Sequence, residues 1–187
     1  MKSKVTIYNI LPLTLFSVIV IVSAFVLYEA KENPSNNNII NSQLIGKKVP
    51  TIKIQKINVI EKKIKSDTLN FNEYANDFFA VNFYASWCVP CRVEAPVIEE
   101  LSKVIPIIGI AYKDKVQNTK KFLDDYGNPY HQIGLDNSGK IAIEWGVYGV
   151  PETFIVNTNG KIIYRHAGPL LYKVFKSEVL PLIKRKQ

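Results

Sequence analysis

The most prominent feature of the hydrophobic pattern is a run without charged residues that extends from Ile10 to Leu27. Its length is close to the lower end of what crosses the hydrocarbon core of a bilayer as a helix. Two lysines precede the run, and positive charges favour the cytoplasmic side of a membrane. The pattern therefore predicts a cytoplasmic amino terminus over residues 1–9 and one transmembrane anchor over residues 10–28.

A cleaved signal peptide is the alternative interpretation of this segment. Ser23-Ala24 offers a weak cleavage site, but the apolar run continues beyond it through Phe25 to Tyr28. This continuation favours an uncleaved anchor, and both interpretations place the rest of the chain outside the cytoplasm. Residues 29–43 are polar and include the run Asn-Pro-Ser-Asn-Asn-Asn, so we expect a flexible tether there.

Residues 44–187 alternate between short strand-like runs and helix-like segments. Strands are predicted at Thr51–Ile57, Ala80–Tyr84, Ile107–Ala111, Thr153–Val156 and Lys161–His166. Helices are predicted at Cys91–Val104, Gln117–Tyr126, Ile141–Trp145 and Leu171–Ile183. The apolar side of the first helix is predicted to contain Val93, Val97, Ile98 and Leu101. An Asn-Gly step between the last two strands is typical of a hairpin. The pattern predicts one α/β domain with a central mixed sheet flanked by helices.

Composition and charge narrow the range of partners and cofactors. Apolar residues make up 47% of the 187 residues and charged residues 21%, as in globular chains that bury a core. The formal net charge is +8, but the lysines are scattered, so we expect solvated surface and no nucleic-acid site. Two cysteines are too few for a disulfide scaffold. Together with the distant His131 and His166 they also argue against zinc, and no metal is predicted.

The two cysteines lie in the sequence Trp87-Cys88-Val89-Pro90-Cys91, between a predicted buried strand and a predicted helix. In that context a C-x-x-C sequence is typical of a redox motif. The amino end of a helix favours the thiolate of Cys88, which is the form that attacks disulfides. Pro90 suits the first helical turn because it has no N–H. An inert structural disulfide and a buried thiol pair are the alternatives, although so short a loop constrains the unfolded chain little.

These residues resemble the active site of the thioredoxin superfamily, in which W-C-x-x-C joins a strand to a helix. Pro96 matches a proline within that helix, and Val150-Pro151 matches a cis-proline segment that faces the cysteines. Five stretches resemble the membrane-tethered CcmG/DsbE family of cytochrome c maturation, namely WCVPCRVE from residue 87, YKD from 112, GNPY from 127, GVYGVPETF from 146 and YRHAG from 164. The similarity covers about residues 44–183. The dipeptide Val89-Pro90 between the cysteines departs from the family pattern, and because this dipeptide influences the reduction potential, the resemblance does not predict the value of that potential.

The resemblance implies a thioredoxin-like fold and a protein-disulfide reductase. Cys88 is then the nucleophile, Cys91 resolves the mixed disulfide, and Pro151 is the cis-proline. Glu94 and Glu152 are expected near the sulfurs, where a carboxylate raises the thiol pKa and makes the dithiol a stronger electron donor. The client groove is expected to contain Trp87, Pro90, Tyr148 and Val150.

The resemblance also implies a location and partners. We expect the domain in the periplasm of a bacterium, attached by a single-pass anchor to the inner membrane. The expected client is apocytochrome c or a haem lyase-type assembly protein, and a membrane protein of the DsbD or CcdA type is the expected electron donor. No cofactor is expected besides the redox-active disulfide. A general disulfide oxidase or isomerase, and a non-catalytic assembly module that binds apoprotein, are the alternative functions.

Overall fold

The computed structural model describes residues 7–32, 44–50, 53–58, 63–69, 71–74 and 77–184. The chain divides into two compact units, residues 1–38 and 39–187. In the first unit, helix α1 extends over Ile7–Glu32. Its segment Leu11–Glu29 is long and apolar enough to cross a membrane.

Helix α1 is longer than the predicted anchor at both of its ends. At its carboxyl end, the helix continues through residues 29–32, because Glu, Ala and Lys have high helix propensity. They belong to the segment predicted as a tether, and the remainder of that segment, residues 33–43, lies outside the described part of the chain. Residues 1–6 also lie outside it.

Within the described residues of the second unit, seven strands form one sheet in the order β2-β1-β5-β4-β3-β6-β7. The strands are β1 Gln55–Asn58, β2 Lys63–Thr68, β3 Phe79–Tyr84, β4 Ile107–Tyr112, β5 Gln132–Asp136, β6 Glu152–Val156 and β7 Ile162–Ala167. The neighbours β3, β4 and β5 are parallel, and the other pairs are antiparallel. The predicted mixed sheet is confirmed.

Helices lie on both faces of this sheet. They are a 3-10 helix Phe71–Tyr74, α2 Val89–Ser102, α3 Val116–Tyr126, α4 Lys140–Glu144, α5 Tyr172–Val174 and α6 Leu180–Lys184, with a π-helical turn at Phe175–Val179 between the last two. On one face, Ile98 of α2 and Phe175 of the π-helical turn belong to one buried cluster. On the other face, Trp145 packs against Phe83 and Phe154. The sheet therefore carries a core on each side.

Two strands in the structure have no counterpart in the sequence prediction. β2 is polar along much of its length, and β5 contains Gly134 and ends in the polar Asp136, so neither shows a clear apolar run. Gly134 is required because a Cβ atom there would collide with Ile54 and Leu69. The strand predicted at Thr51–Ile57 is shorter and later in the structure, where it spans Gln55–Asn58, and residues 51–52 lie outside the described part of the chain.

The predicted apolar side of α2 is wrong at one position. Val93 is 56% exposed, whereas Glu94 is buried together with Val97, Ile98 and Leu101. With 3.6 residues per turn, positions 91, 94, 98 and 101 lie along one side of a helix, and position 93 points away from it. A carboxyl group therefore occupies a core position three residues after the second cysteine.

Candidate active site around the cysteine pair

The cysteine pair lies where the carboxyl end of β3 leads into the amino end of α2. Cys88 is the N-cap residue of α2 and forms a disulfide with Cys91. The backbone N–H of Cys91 donates to Cys88 Sγ at 3.1 Å. After reduction, the same N–H and the positive end of the helix dipole stabilise a thiolate at Cys88. Both cysteines are buried, so a client disulfide has to approach the surrounding surface closely.

The loop that leads into β6 lies against the first cysteine. The Val150–Pro151 peptide bond is cis, and the carbonyl oxygen of Val150 lies 3.4 Å from Cys88 Sγ. A disulfide sulfur has no proton to donate, so this is a contact in the oxidised protein. A thiol at Cys88 is able to donate to the same oxygen after reduction. The fold thus brings Cys88, Cys91 and the Val150–Pro151 segment together.

A short loop after β4 positions the residues before the cysteines. Asp114 accepts hydrogen bonds from the backbone N–H of Ser86 at 2.7 Å and from its hydroxyl at 2.9 Å. Trp87 Nε1 donates to the carbonyl oxygen of Lys113 at 3.3 Å. No role of its own is predicted from the sequence for the stretch 112–114. The available signal was an acidic residue, Asp114, two residues after a buried strand. In the structure this loop supports the approach to Cys88.

Glu94 is a buried carboxylate on the same side of α2 as Cys91. Its side chain accepts a hydrogen bond from Asn82 Nδ2 on Oε1 and from the backbone N–H of Leu170 on Oε2, both at 2.9 Å. Among the described residues, no Lys or Arg side chain forms an ion pair with it. Burial raises the pKa of Glu94 to about 7, although the two hydrogen bonds act in the opposite direction. This carboxyl group therefore changes its charge near neutral pH.

Asn82 on β3 links Glu94 to a wider buried network. Its Nδ2 also donates to Thr153 Oγ1 at 3.1 Å, and its Oδ1 accepts from the hydroxyl of Tyr130 at 2.7 Å. The ring of Tyr130 fits against the sheet because Gly109 has no Cβ, which would lie 2.8 Å from Tyr130 Cγ. Sequence reasoning missed this network, although a single asparagine inside an apolar strand was a signal for it.

His166 on β7 is connected to Glu94 through one peptide group. Its Nε2 lies 3.3 Å from the carbonyl oxygen of Pro169, and because a carbonyl oxygen only accepts, Nε2 carries the proton. The N–H of the same peptide group, that of Leu170, donates to Glu94. Burial lowers the pKa of His166, which favours the neutral ring. His131 is exposed, and within the described ranges no group of three or more His, Cys, Asp or Glu side chains is placed to hold a metal ion.

Glu152 differs from Glu94 because a cation compensates its charge. Arg165 Nη2 and Nε lie 2.7 and 2.8 Å from Glu152 Oε2, and both side chains of this ion pair are buried. The other oxygen, Oε1, accepts from the backbone N–H of Tyr148 at 2.8 Å. The two predicted carboxylates therefore have different environments. Glu94 is hydrogen-bonded in the core without a cation partner among the described residues, and Glu152 is paired with Arg165 and holds the loop before the cis-proline.

The predicted groove residues differ in their exposure. Trp87 and Pro90 are exposed beside the cysteines, and Tyr148 is 79% exposed, whereas Val150 is only partly accessible. Val93, which is not among the predicted groove residues, is also exposed on α2. Exposed apolar side chains beside a reactive group are a feature of surfaces that contact protein partners.

Residues 45–165 of the chain match the AhpC/TSA family. The thiol:disulfide interchange protein CycY of Rhizobium leguminosarum bv. viciae is 46% identical over 107 residues, or 56% of this chain and 58% of that protein. The chain thus aligns with less than two thirds of the length of CycY. The thiol:disulfide interchange protein DsbE of Escherichia coli K12 is 35% identical over 185 residues, which cover 97% of this chain and 95% of DsbE.

Solved structures share the fold. The thioredoxin domain of a thiol-disulfide oxidoreductase from Bacteroides vulgatus superposes with a TM-score of 0.60 at 19% identity and covers 76% of this chain and 99% of its own. A secreted disulfide oxidoreductase from Mycobacterium tuberculosis gives a TM-score of 0.55 at 16% identity and covers 72% of this chain and 92% of its own. The predicted thioredoxin-like fold is confirmed.

Proposed function

Because the chain belongs to the AhpC/TSA family and to the DsbE group of thiol:disulfide interchange proteins, we propose that it is a protein-disulfide reductase acting through Cys88 and Cys91. The position of Glu94 relative to the cysteine pair supports electron transfer from this protein to the client. The cysteine pair lies at the amino end of α2, and the carboxyl group of Glu94, which has no ion-pair partner among the described residues, is buried on the same side of that helix. The first feature supports thiol-disulfide exchange, and the second supports reduction rather than oxidation of the client.

The reaction proceeds in two exchange steps. The Cys88 thiolate attacks one sulfur of a client disulfide, so that a bond between Cys88 and the client forms and the client's own disulfide breaks. The released client thiolate takes up a proton. Cys91 then attacks Cys88 Sγ, which releases the second client thiol and forms the Cys88–Cys91 disulfide. Two electrons pass to the client, and a membrane protein of the DsbD or CcdA type returns the pair to the dithiol state.

Glu94 makes the dithiol a better electron donor. A thiolate next to a carboxylate is disfavoured by like charge, and the buried surroundings of Glu94 weaken the screening of that repulsion. Destabilising the reduced form lowers the reduction potential by about 30 mV for every 1.4 kcal/mol. Glu152 contributes less to this effect, because Arg165 compensates its charge. No cofactor is required besides the disulfide itself.

The proposed client is apocytochrome c or a haem lyase-type assembly protein that handles it. The five stretches that resemble the CcmG/DsbE family support this client, and the exposed surface at Trp87 and Tyr148 is suited to an extended polypeptide. The apolar helix α1 supports an anchor in the inner membrane, with the cysteines on the periplasmic side. A thiol reagent that does not cross the inner membrane should label reduced Cys88 in spheroplasts, and labelling only after lysis would contradict this location.

The function is tested by trapping the client. In the Cys91→Ser variant the resolving thiol is missing, so the mixed disulfide between Cys88 and the client should accumulate and be recovered from cells under mild oxidation. Cys88→Ser is the matched control, because it removes the nucleophile and should trap no client. An apocytochrome c or one of its assembly proteins is the expected partner. If Cys91→Ser traps no more protein than Cys88→Ser, the proposed reductase function is wrong.

The oxidase and isomerase alternatives are distinguished by equilibrium with glutathione. A reductase should have a reduction potential well below that of the glutathione couple, so the pair should stay oxidised even in a large excess of reduced glutathione. A pair that glutathione reduces readily would favour an oxidase or isomerase instead.

A further inference from the structure

Arg165 is a buried cation in a stretch of the sequence to which no role has been assigned. It lies on β7, opposite Phe154 of β6, and only 4% of its surface is exposed. A buried guanidinium is costly unless it is paired and hydrogen-bonded. Here the cost is offset by two nitrogen contacts to Glu152 Oε2, so the position of Arg165 is set by β6 and β7 together.

The same guanidinium holds the loop that precedes the cis-proline. Arg165 Nη2 donates to the carbonyl oxygen of Gly146 at 2.6 Å, and the guanidinium carbon lies 4.8 Å from the centre of the Tyr148 ring. On the other side of the ion pair, Glu152 Oε1 accepts from the backbone N–H groups of Tyr148 at 2.8 Å and of Gly149 at 3.4 Å. One ion pair therefore contacts the start, the middle and the end of the loop from residue 146 to residue 149.

This loop connects an exposed aromatic ring to the reactive sulfur. Tyr148 is 79% exposed, and two residues later the carbonyl oxygen of Val150 lies 3.4 Å from Cys88 Sγ. A change in the loop would therefore move the ring relative to Cys88. The ion pair itself has no net charge, so it exerts little direct field on the sulfurs, in contrast to Glu94.

We propose that Arg165 is a positioning residue that determines client specificity, because it holds Tyr148 and its loop in the shape that receives an extended disulfide-containing polypeptide. This inference rests on the proposed reductase function. In this proposal the two carboxylates have different roles. Glu94 adjusts the redox equilibrium of the cysteines, whereas Glu152, with Arg165, shapes the surface that binds the client. A small disulfide that does not reach Tyr148 should depend on this loop much less than a peptide does.

The test compares two disulfides in reactions with the reduced full-length protein in detergent. One is a peptide with a disulfide-bonded C-x-x-C-H sequence, which is the attachment sequence of c-type haem, and the other is oxidised glutathione. Arg165→Lys keeps the charge but loses the planar fork that reaches Glu152 and Gly146 together. The double variant Arg165→Met/Glu152→Gln removes both charges, which avoids an unpaired buried charge if Arg165→Lys fails to fold. Tyr164→Phe is the control, since it removes a hydrogen bond to Glu178 from the same strand.

We expect the ratio of the peptide rate constant to the glutathione rate constant to fall about tenfold in both Arg165 variants, as the loss of one or two hydrogen bonds would produce. The change should appear mainly in KM for the peptide, and Tyr164→Phe should keep the wild-type ratio. If the variants prefer the peptide as strongly as the wild type does, the inference about Arg165 is wrong while the proposed function stands. If the wild type itself shows no preference for the peptide, the proposed client is wrong, and the inference fails with it.

Discussion

The buried carboxyl group of Glu94 should make the free energy of unfolding depend on pH, and the substitution Glu94→Gln should remove this dependence. Its pKa is raised from 4.5 to about 7 in the folded protein, chiefly by burial. Between these two values the folded protein holds a proton that the unfolded chain releases. The free energy of unfolding therefore falls as pH rises through this range. The stabilising contribution is complete below the unfolded pKa and is lost as pH rises through the folded pKa.

The size of this effect follows from the two pKa values. One pKa unit corresponds to about 1.4 kcal/mol, so the raised pKa of Glu94 represents roughly 3 kcal/mol over the whole titration. Between pH 5 and pH 8 the linkage relation gives a loss of about 2.5 kcal/mol. Glu94→Gln has no such titration, because an amide keeps the same charge at every pH in this range.

The assay is urea unfolding of the oxidised wild type and of Glu94→Gln, both as full-length protein in detergent, at pH 5 and at pH 8. Trp145 is completely buried and provides a fluorescence signal for unfolding of the domain. The stability of the wild type relative to the variant should decrease by about 2.5 kcal/mol between the two pH values. Other titrating groups, including His166, occur in both proteins and cancel in this difference. A difference that is constant to within about 0.5 kcal/mol would refute the reasoning.

Three further outcomes are expected. Asp114→Ala leaves a backbone N–H before the cysteines without its acceptor and should lower the free energy of unfolding by about 1–3 kcal/mol, measured with urea. Glu94→Gln should raise the reduction potential, measured against glutathione, by more than the double variant Arg165→Met/Glu152→Gln does, because the double variant removes an ion pair without net charge and leaves no buried charge behind; the reverse order would contradict the different charge environments of the two carboxylates. Gly109→Ala places a Cβ 2.8 Å from Tyr130 Cγ and should destabilise the protein by about 1–3 kcal/mol, whereas an unchanged unfolding midpoint would show that the ring moves freely.

The parts of the fold that were predicted correctly depend on local sequence signals. A short apolar run before Cys88 and helical spacing after Cys91 locate β3 and α2, and the Asn-Gly step between β6 and β7 locates the hairpin. The strand β5 was not predictable in this way. Its burial arises from neighbours on both sides, β1 and β4, rather than from an apolar run of its own.

Exposure on α2 illustrates a second limit of sequence patterns. Residue type favours Val93 for the core and Glu94 for the surface, and the structure has the opposite arrangement. The position of Glu94 is favourable only because Asn82 and the backbone of Leu170 donate to its oxygens. Both donors lie outside α2, so the spacing of residues within that helix cannot predict that Glu94 is buried.

The sequence by itself determined the chemistry of this protein: a C-x-x-C pair at the start of a helix, its family, and an apolar segment long enough for an anchor. These features require only neighbouring residues. The tertiary structure alone decided how the two carboxylates differ, because charge compensation depends on distances between separate segments. Glu152 meets Arg165 across the hairpin, and Glu94 meets no cation within the described part of the chain. That difference is the basis on which we propose redox adjustment by Glu94 and shaping of the client loop by Glu152, since only an uncompensated buried charge acts strongly on a nearby thiolate.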